Sequence, residues 1–200
     1  MGQYYKPVLL DSKKYKGKNL SITGWVHPHA CKTEDKHHDG GTYTSGCGLK
    51  LMEHSWLKNG FVGTVERLLV GYPKRLVWAG DYADPEEGTE ENVYGLAGEK
   101  FAHLQMPETM NGEELKKHPY LVNHSKMEYV DKRETPTDSY GWRIHPLPLL
   151  TCEGNGRGGG DFRGDETNPL IGKWARDLIS VERLKPSKEY TKITFDLVEN

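Results

Sequence analysis

Cysteine is scarce in this chain. Cys31, Cys47 and Cys152 are the whole complement of 200 residues. So small and odd a set provides no disulfide framework and suits a reducing compartment. Long apolar runs are missing too. None approaches the roughly 20 residues a membrane-spanning helix needs, and no apolar signal region follows Met1. Lys6 stands where an N-terminal acylation signal wants Ser or Thr. Asn19 and Asn123 each begin an Asn-X-Ser triplet, which carries no glycan without secretion. The expectation is a cytoplasmic protein that does not engage a membrane.

Neither sign of charge is in excess. Lys and Arg number 27 against 29 Asp and Glu, for a net charge of −2. A general nucleic-acid binder carries a basic surplus, so that class is disfavoured. There is no internal repeat, no low-complexity tail and no break in composition. Hydrophobic content is low at 35%, but a chain of this length can still bury one core. Residues 1–200 therefore read as a single domain.

Aromatic residues are plentiful, with 11 Tyr and 5 Trp, which argues against global disorder. Strand-like segments run through 4–10, 20–26 and 74–82. Asn59 is placed to cap a helix over 60–70 that puts Phe61, Val65, Leu68 and Leu69 on one face and stops at Gly71-Tyr-Pro73. Residues 92–106 suggest a short helix interrupted by Gly95 and Gly98. Two short strands are expected around Asn123-His-Ser-Lys126. The prolines of 140–151 point to an edge strand or an irregular buried passage. Residues 178–183 and 190–198 are expected to close the fold as a hairpin, with Ile193, Phe195 and Leu197 facing inward. The acidic run 84–91 reads as a solvated loop. Trp56, Trp78, Trp142 and Trp174 read as core rather than as a base-stacking platform. Strands outnumber helices, so the expected class is α+β, a largely antiparallel sheet with one or two short helices.

The most unusual stretch is 153–166, where Gly154, Gly156, Gly158, Gly159, Gly160 and Gly164 alternate with Asn155, Arg157, Asp161, Arg163 and Asp165. Glycine lets a ligand approach the main chain closely. Successive backbone N–H groups can form a concave anion site, and arginines add forked contacts to phosphate or carboxylate. Arg157, Gly158, Gly159, Gly160, Asp161 and Arg163 are the candidate ligand-binding residues. A mobile surface loop is the alternative. No Gly-Lys-Ser/Thr closes the stretch, so it is not a Walker A loop. The G-x-G-x-x-G pattern is met at Gly154, Gly156 and Gly159, but no amphipathic helix follows it. Arg163-Gly-Asp165 is a chance match to an adhesion tripeptide.

His54 beside Glu53, Asp81 at a strand end, His124 in a turn and His145 before Pro146 are the candidate catalytic groups, of the residue types that acid–base or metal-assisted hydrolysis uses. His27, His29 and Cys31 lie two apart and are a weak candidate for zinc, with His37, His38 or Cys47 as a fourth ligand. The spacing fits no standard zinc module, and Pro28 interrupts the strand. Cys152 lacks an activating base and Ser55 lacks a nucleophile elbow. No motif implies a cofactor.

Met1-Gly-Gln-Tyr-Tyr-Lys-Pro7, Leu49-Lys-Leu-Met-Glu-His-Ser55, Val77-Trp-Ala-Gly-Asp-Tyr-Ala83, Asn123-His-Ser-Lys126, His145-Pro-Leu-Pro-Leu-Leu-Thr151 and Gly154-Asn-Gly-Arg-Gly-Gly-Gly-Asp161 are spread over most of the chain. In these words the sequence resembles a group of small proteins of bacteriophages and prophages of gut bacteria. No activity attaches to that group, so no functional residue carries over. The resemblance implies a phage accessory protein in the bacterial cytoplasm, with antagonism of host defence as the associated role. The leading expectation is a binding protein that captures a small anionic, nucleotide-like ligand or blocks a host protein. A hydrolase acting on a phosphorylated or nucleotide substrate and a virion or assembly component are the alternatives. Homo-oligomerisation is left open.

Overall fold

The computed structural model of the chain describes residues 3–27, 32–36, 42–46, 50–100, 116–154 and 168–198. In chain order the strands and helices are β1 (Tyr5–Leu10), β2 (Ile22–Trp25), β3 (Lys32–Lys36), β4 (Thr42–Gly46), α1 (Leu51–His54), α2 (Gly60–Leu69), β5 (Lys74–Gly80), α3 (Val93–Lys100), β6 (Tyr120–Asn123), β7 (Glu128–Asp131), α4 (Pro146–Thr151), β8 (Cys152–Glu153), β9 (Leu178–Glu182) and β10 (Thr191–Lys192). The class is α+β, as the strand-rich pattern implies. An eight-stranded sheet has the order β10-β7-β6-β9-β5-β1-β2, with β8 also paired to β5. The β10–β7 and β5–β8 pairs are parallel, and the other pairs are antiparallel. β3 and β4 form a separate antiparallel pair.

Period-two alternation sorts the sheet's side chains between two faces. On one face Tyr5, Leu9, Leu76, Trp78, Leu121, Val130, Ile179 and Val181 pack with Phe61, Val62, Val65 and Leu69 of α2 and with Leu147, Leu149 and Leu150 of α4. On the other, Val8, Leu10, Val77 and Ala79 pack with Val93, Leu96 and Ala97 of α3. β1 and β5 are thus covered on both sides, which explains their near-continuous apolar runs. Farther along the second face, Tyr120, Val122 and Tyr129 form a small cluster against Tyr190.

Local chemistry accounts for the helices. The Asn59 side-chain oxygen accepts from the backbone N–H of Phe61 at 2.9 Å and of Val62 at 3.2 Å, two donors a helix start leaves open. Gly71, at φ 68°, turns the chain away after α2. α4 corrects the expectation of an edge strand or irregular passage. Pro146 and Pro148 fall in its first turn, where no N–H is needed for an intrahelical bond, and all its residues are buried. The closing hairpin is also corrected. β9 lies between β6 and β5, so both of its edges are occupied, and β10 pairs instead with β7. Phe195 and Leu197 are nevertheless buried in the main core. Trp78 and Trp174 are core residues. Trp142 is not: it is exposed and meets the half-buried Trp56 at 5.6 Å between ring centroids.

Removing the cap should be measurable. Asn59→Ala is expected to lower unfolding stability by about 1 kcal/mol, read by chemical denaturation, with Asn59→Asp close to the parent.

Candidate functional site

One end of the sheet gathers the polar features that point to function. β5 and β8 run parallel and finish there side by side, at Gly80 and Glu153. β1 starts there, with Tyr5 opposite Gly80, and β2 finishes there at Trp25. Asp81 is tied to the start of β1 twice. Its N–H donates to the Tyr4 carbonyl at 3.0 Å, and its Oδ1 accepts from the Tyr4 N–H at 3.0 Å. The Asp81 carbonyl accepts in turn from Asn92 Nδ2 at 2.9 Å.

The root of the glycine-rich stretch lies at this end. A Cβ on Gly154 would collide with Gln3 Nε2 and the Tyr5 hydroxyl, and one on Gly80 would fall 2.7 Å from both Gln3 Nε2 and the Glu153 carbonyl. Both glycines are required by close packing. Tyr5 Oη donates to Gln3 Oε1 at 2.8 Å, which fixes the wall they pack on. Past the stretch, Gly172 N–H donates to the Leu149 carbonyl at 2.8 Å and Arg176 N–H to the Leu76 carbonyl at 2.8 Å. The chain is therefore braced on both sides of residues 155–167.

A cleft of about 480 Å³ opens beside this root, lined by residues 83–86, Cys152, Glu153, Ile171–Lys173, Ala175 and Arg176. Arg176 spans it. Its Nε and Nη2 donate to the two oxygens of Glu153, each at 2.7 Å, and Nη2 also reaches Glu86. Burial opposes the Arg176 charge, but the bonds to Glu153 and Glu86 outweigh it and raise its pKa further above the ordinary value. Glu86 is buried and also accepts from Gly17 N–H at 3.0 Å, so the acidic run is only partly the solvated loop expected from its composition. The other cation of the cleft, Lys173, donates to Glu128 at 2.8 Å. Among the described residues the cleft floor thus presents paired charge, with Lys173 and Arg176 both engaged by carboxylates. Sequence reasoning missed Glu86, Glu153 and Arg176 as a unit, because Arg176 stands 90 residues from Glu86 and no spacing rule links them.

Lys6 was also missed. It belongs to β1 and is buried, with 6% of its surface exposed. Its ammonium lies 3.8 Å from the ring centroid of Tyr94 and 4.6 Å from that of Trp25. Desolvation lowers its pKa to about 8. Tyr94 is shifted the other way, by burial first and then by the charges of Asp81 and Tyr4.

The four candidate catalytic residues are engaged with different groups in different parts of the molecule. Asp81 is at the sheet end. His54 is fully buried, and its Nε2 accepts from Trp78 Nε1–H at 2.8 Å. His124 lies in the β6–β7 turn, with Nδ1 2.8 Å from the Tyr190 hydroxyl and Nε2 2.8 Å from Ser180 Oγ, which donates to Glu182 at 2.7 Å. Burial lowers the His124 pKa and the Glu182 charge partly opposes this. His145 caps α4, its Nδ1 accepting from Leu147 N–H at 3.1 Å. The ring proton is therefore on Nε2, 3.2 Å from Glu66 Oε1. That approach is outside hydrogen-bond alignment, and among the described residues Glu66 Oε2 has no donor. Lys132 Nζ pairs with the same Oε1.

Arg157, Gly158, Gly159, Gly160, Asp161 and Arg163 lie outside the described residues, as do His29, Cys31, His37, His38 and Cys47. His27 is described, its ring 5.5 Å from that of Trp25. Among the described residues no group of three or more His, Cys, Asp or Glu side chains is placed to hold a metal ion, and no helix is long and apolar enough to cross a membrane. Cys152 is buried, its thiol donating to the Leu149 carbonyl at 3.2 Å. No protein-family model, curated protein or solved structure matches the chain.

The buried Glu66–Lys132–His145 group makes stability depend on pH. Burial alone would raise the Glu66 carboxyl, but Lys132 and His145 hold it at about 2. Burial depresses His145 more than Glu66 raises it. A depressed histidine is neutral in the fold, so its contribution is present above the unfolded pKa of about 6.5 and is lost as pH falls below that. The unfolding midpoint is expected to drop between pH 7.5 and 5.5, and less so in His145→Asn, which keeps a capping acceptor. Glu66→Gln, which strands Lys132, is expected to cost about 3–5 kcal/mol.

Proposed function

We propose that this chain is a phage or prophage accessory protein that acts by binding, capturing a small anionic ligand of nucleotide type at the end of the sheet where the glycine-rich stretch begins. The observation that carries the reading is the bracing of that stretch. Gly154 is packed on Gln3 and Tyr5, and Glu153 is clamped by the Arg176 fork. Binding groups held on a rigid root lose less freedom when a ligand arrives. Because Arg176 and Lys173 are already paired with carboxylates, the anion specificity is assigned to Arg157 and Arg163, with the backbone N–H groups of Gly158, Gly159 and Gly160. Binding is favoured over hydrolysis because His54, His124 and His145 bond to separate partners and His54 and His145 are enclosed in the interior.

A second reading, blockade of a host protein, is favoured by an exposed aromatic loop. Tyr140 and Trp142 project from a turn in which Asp138 Oδ1 accepts from both of their N–H groups, at 2.9 and 2.8 Å. Arg143 holds the base of the loop through the carbonyls of Lys132, Arg133 and Thr135. Tyr, Trp and Arg are the residues that dominate interface energetics.

The test is thermal unfolding against a panel of mono-, di- and cyclic nucleotides. A ligand at about 100 times its Kd stabilises by about 2.7 kcal/mol, or roughly 5–10 °C for a chain of this size. Arg157→Ala combined with Arg163→Ala is expected to abolish that shift while leaving the ligand-free midpoint unchanged. A full shift in the double variant would overturn the anion site.

A further inference from the structure

The end of the sheet opposite the glycine-rich root carries a second opening. β1 finishes there, β5 and β9 begin there, and the last turn of α2 reaches it. These ends leave a groove of about 370 Å³, lined by Leu9, Leu10, Leu68 and Leu178 together with Lys74 and Arg75. Leu68 and Leu178 are half-buried and continue the apolar surface of the buried Leu9 and Leu10 outward.

Among the described residues neither cation has a carboxylate partner. Arg75 is held by neutral groups. Its Nε donates to the Ser12 carbonyl at 2.8 Å and its Nη1 to the Arg176 carbonyl at 3.0 Å, and its guanidinium carbon lies 3.7 Å from the Tyr15 ring centroid. Asp11 and Asp177, next in the chain to the residues that hold Arg75, serve other donors. Asp11 accepts from the N–H groups of Lys13 and Lys14, and Asp177 accepts from Asn123 and pairs with Lys126. Carbonyl bonds orient the Arg75 fork but leave its charge uncompensated, so with Lys74 it favours an anion. No aromatic side chain lines the groove among the described residues, which leaves a nucleobase without a stacking face. Aliphatic leucines suit an alkyl chain instead.

We propose that this groove binds a medium-chain fatty carboxylate, with the head group on Lys74 and Arg75 and the alkyl chain along the four leucines. Its 370 Å³ is about the volume of twelve waters and takes a chain of roughly eight to ten carbons. The site lies at the other end of the sheet from the proposed nucleotide site and uses neither Arg157 nor Arg163.

The experiment titrates the full chain with hexanoate, octanoate and decanoate, each below its critical micelle concentration, and follows the amide NMR shifts of Leu10, Arg75 and Leu178. Kd is expected to fall about two- to fourfold for each added methylene. Octanoate is expected to bind about tenfold tighter than 1-octanol, and Lys74→Gln to narrow that preference. Leu68→Glu sets a carboxylate in the groove and is expected to abolish binding; Lys74→Glu serves if that variant does not fold. Adenosine monophosphate is expected not to displace octanoate. A Kd independent of chain length, equal binding of octanol, or octanoate binding undisturbed by the introduced glutamate overturns the proposal. So does displacement by the nucleotide, or binding to phosphatidylglycerol vesicles without binding of the free carboxylates.

Discussion

The antiparallel pairing of β1 with β5 is the constraint on which the rest of this fold depends. Six consecutive residue pairs, from Tyr5–Gly80 to Leu10–Arg75, fix its register. Because side chains alternate, that register sends Tyr5, Leu9, Leu76 and Trp78 to the core shared with α2 and α4, and Val8, Leu10, Val77 and Ala79 to the core shared with α3. A one-residue slip would exchange the two faces. It would also carry Gly80 away from Gln3 and Tyr5, where no other residue fits. β9 and β8 share the opposite edge of β5, β9 at Lys74–Arg75 and β8 at Trp78–Ala79. Through β8 the same strand determines where the glycine-rich stretch begins.

Around this frame the protein buries several charges and treats them differently. Glu66 is paired with a cation from another element and lies 3.2 Å from a histidine that also caps a helix. Arg176 is shared between two carboxylates and ties the loop after β5 to β8. Removing Lys132 would strand Glu66, and removing Arg176 would strand Glu86 and Glu153, so both groups hold distant segments together. Among the described residues Lys6 receives aromatic faces rather than an anion, and desolvation lowers its pKa to about 8.

Much of the fold was legible in the residues, because its signals are local. The Asn59 cap and the apolar face of α2 gave that helix to within a residue, and the turn at Asn123-His-Ser-Lys126 gave the β6–β7 hairpin. Alternation likewise marked Phe195 and Leu197 as inward-facing. The failures are of another kind. Prolines in 140–151 suggested an extended passage because a helix start and an edge strand tolerate proline equally well. Residues 178–183 and 190–198 suggested a hairpin because nothing local says that β9 already has β5 and β6 on its two sides. Glu86 reads with its acidic neighbours as part of a solvated loop, and nothing local singles out Lys6 as buried, since a partner 90 residues away, or a pair of rings, leaves no mark in the neighbouring sequence.

By itself, then, the sequence determined the α+β class, the capped helix, the short hairpin and the glycine-rich stretch, each set by side chains within a few residues of one another. Tertiary structure alone decided the strand order, the root of that stretch against Gln3 and Tyr5, the clamp of Arg176, and the separate surroundings of His54, His124 and His145. It alone decided that Lys6 lies between Trp25 and Tyr94. Those outcomes depend on which strand lies beside which and on the solvent each charge loses, and both are properties of the packed chain.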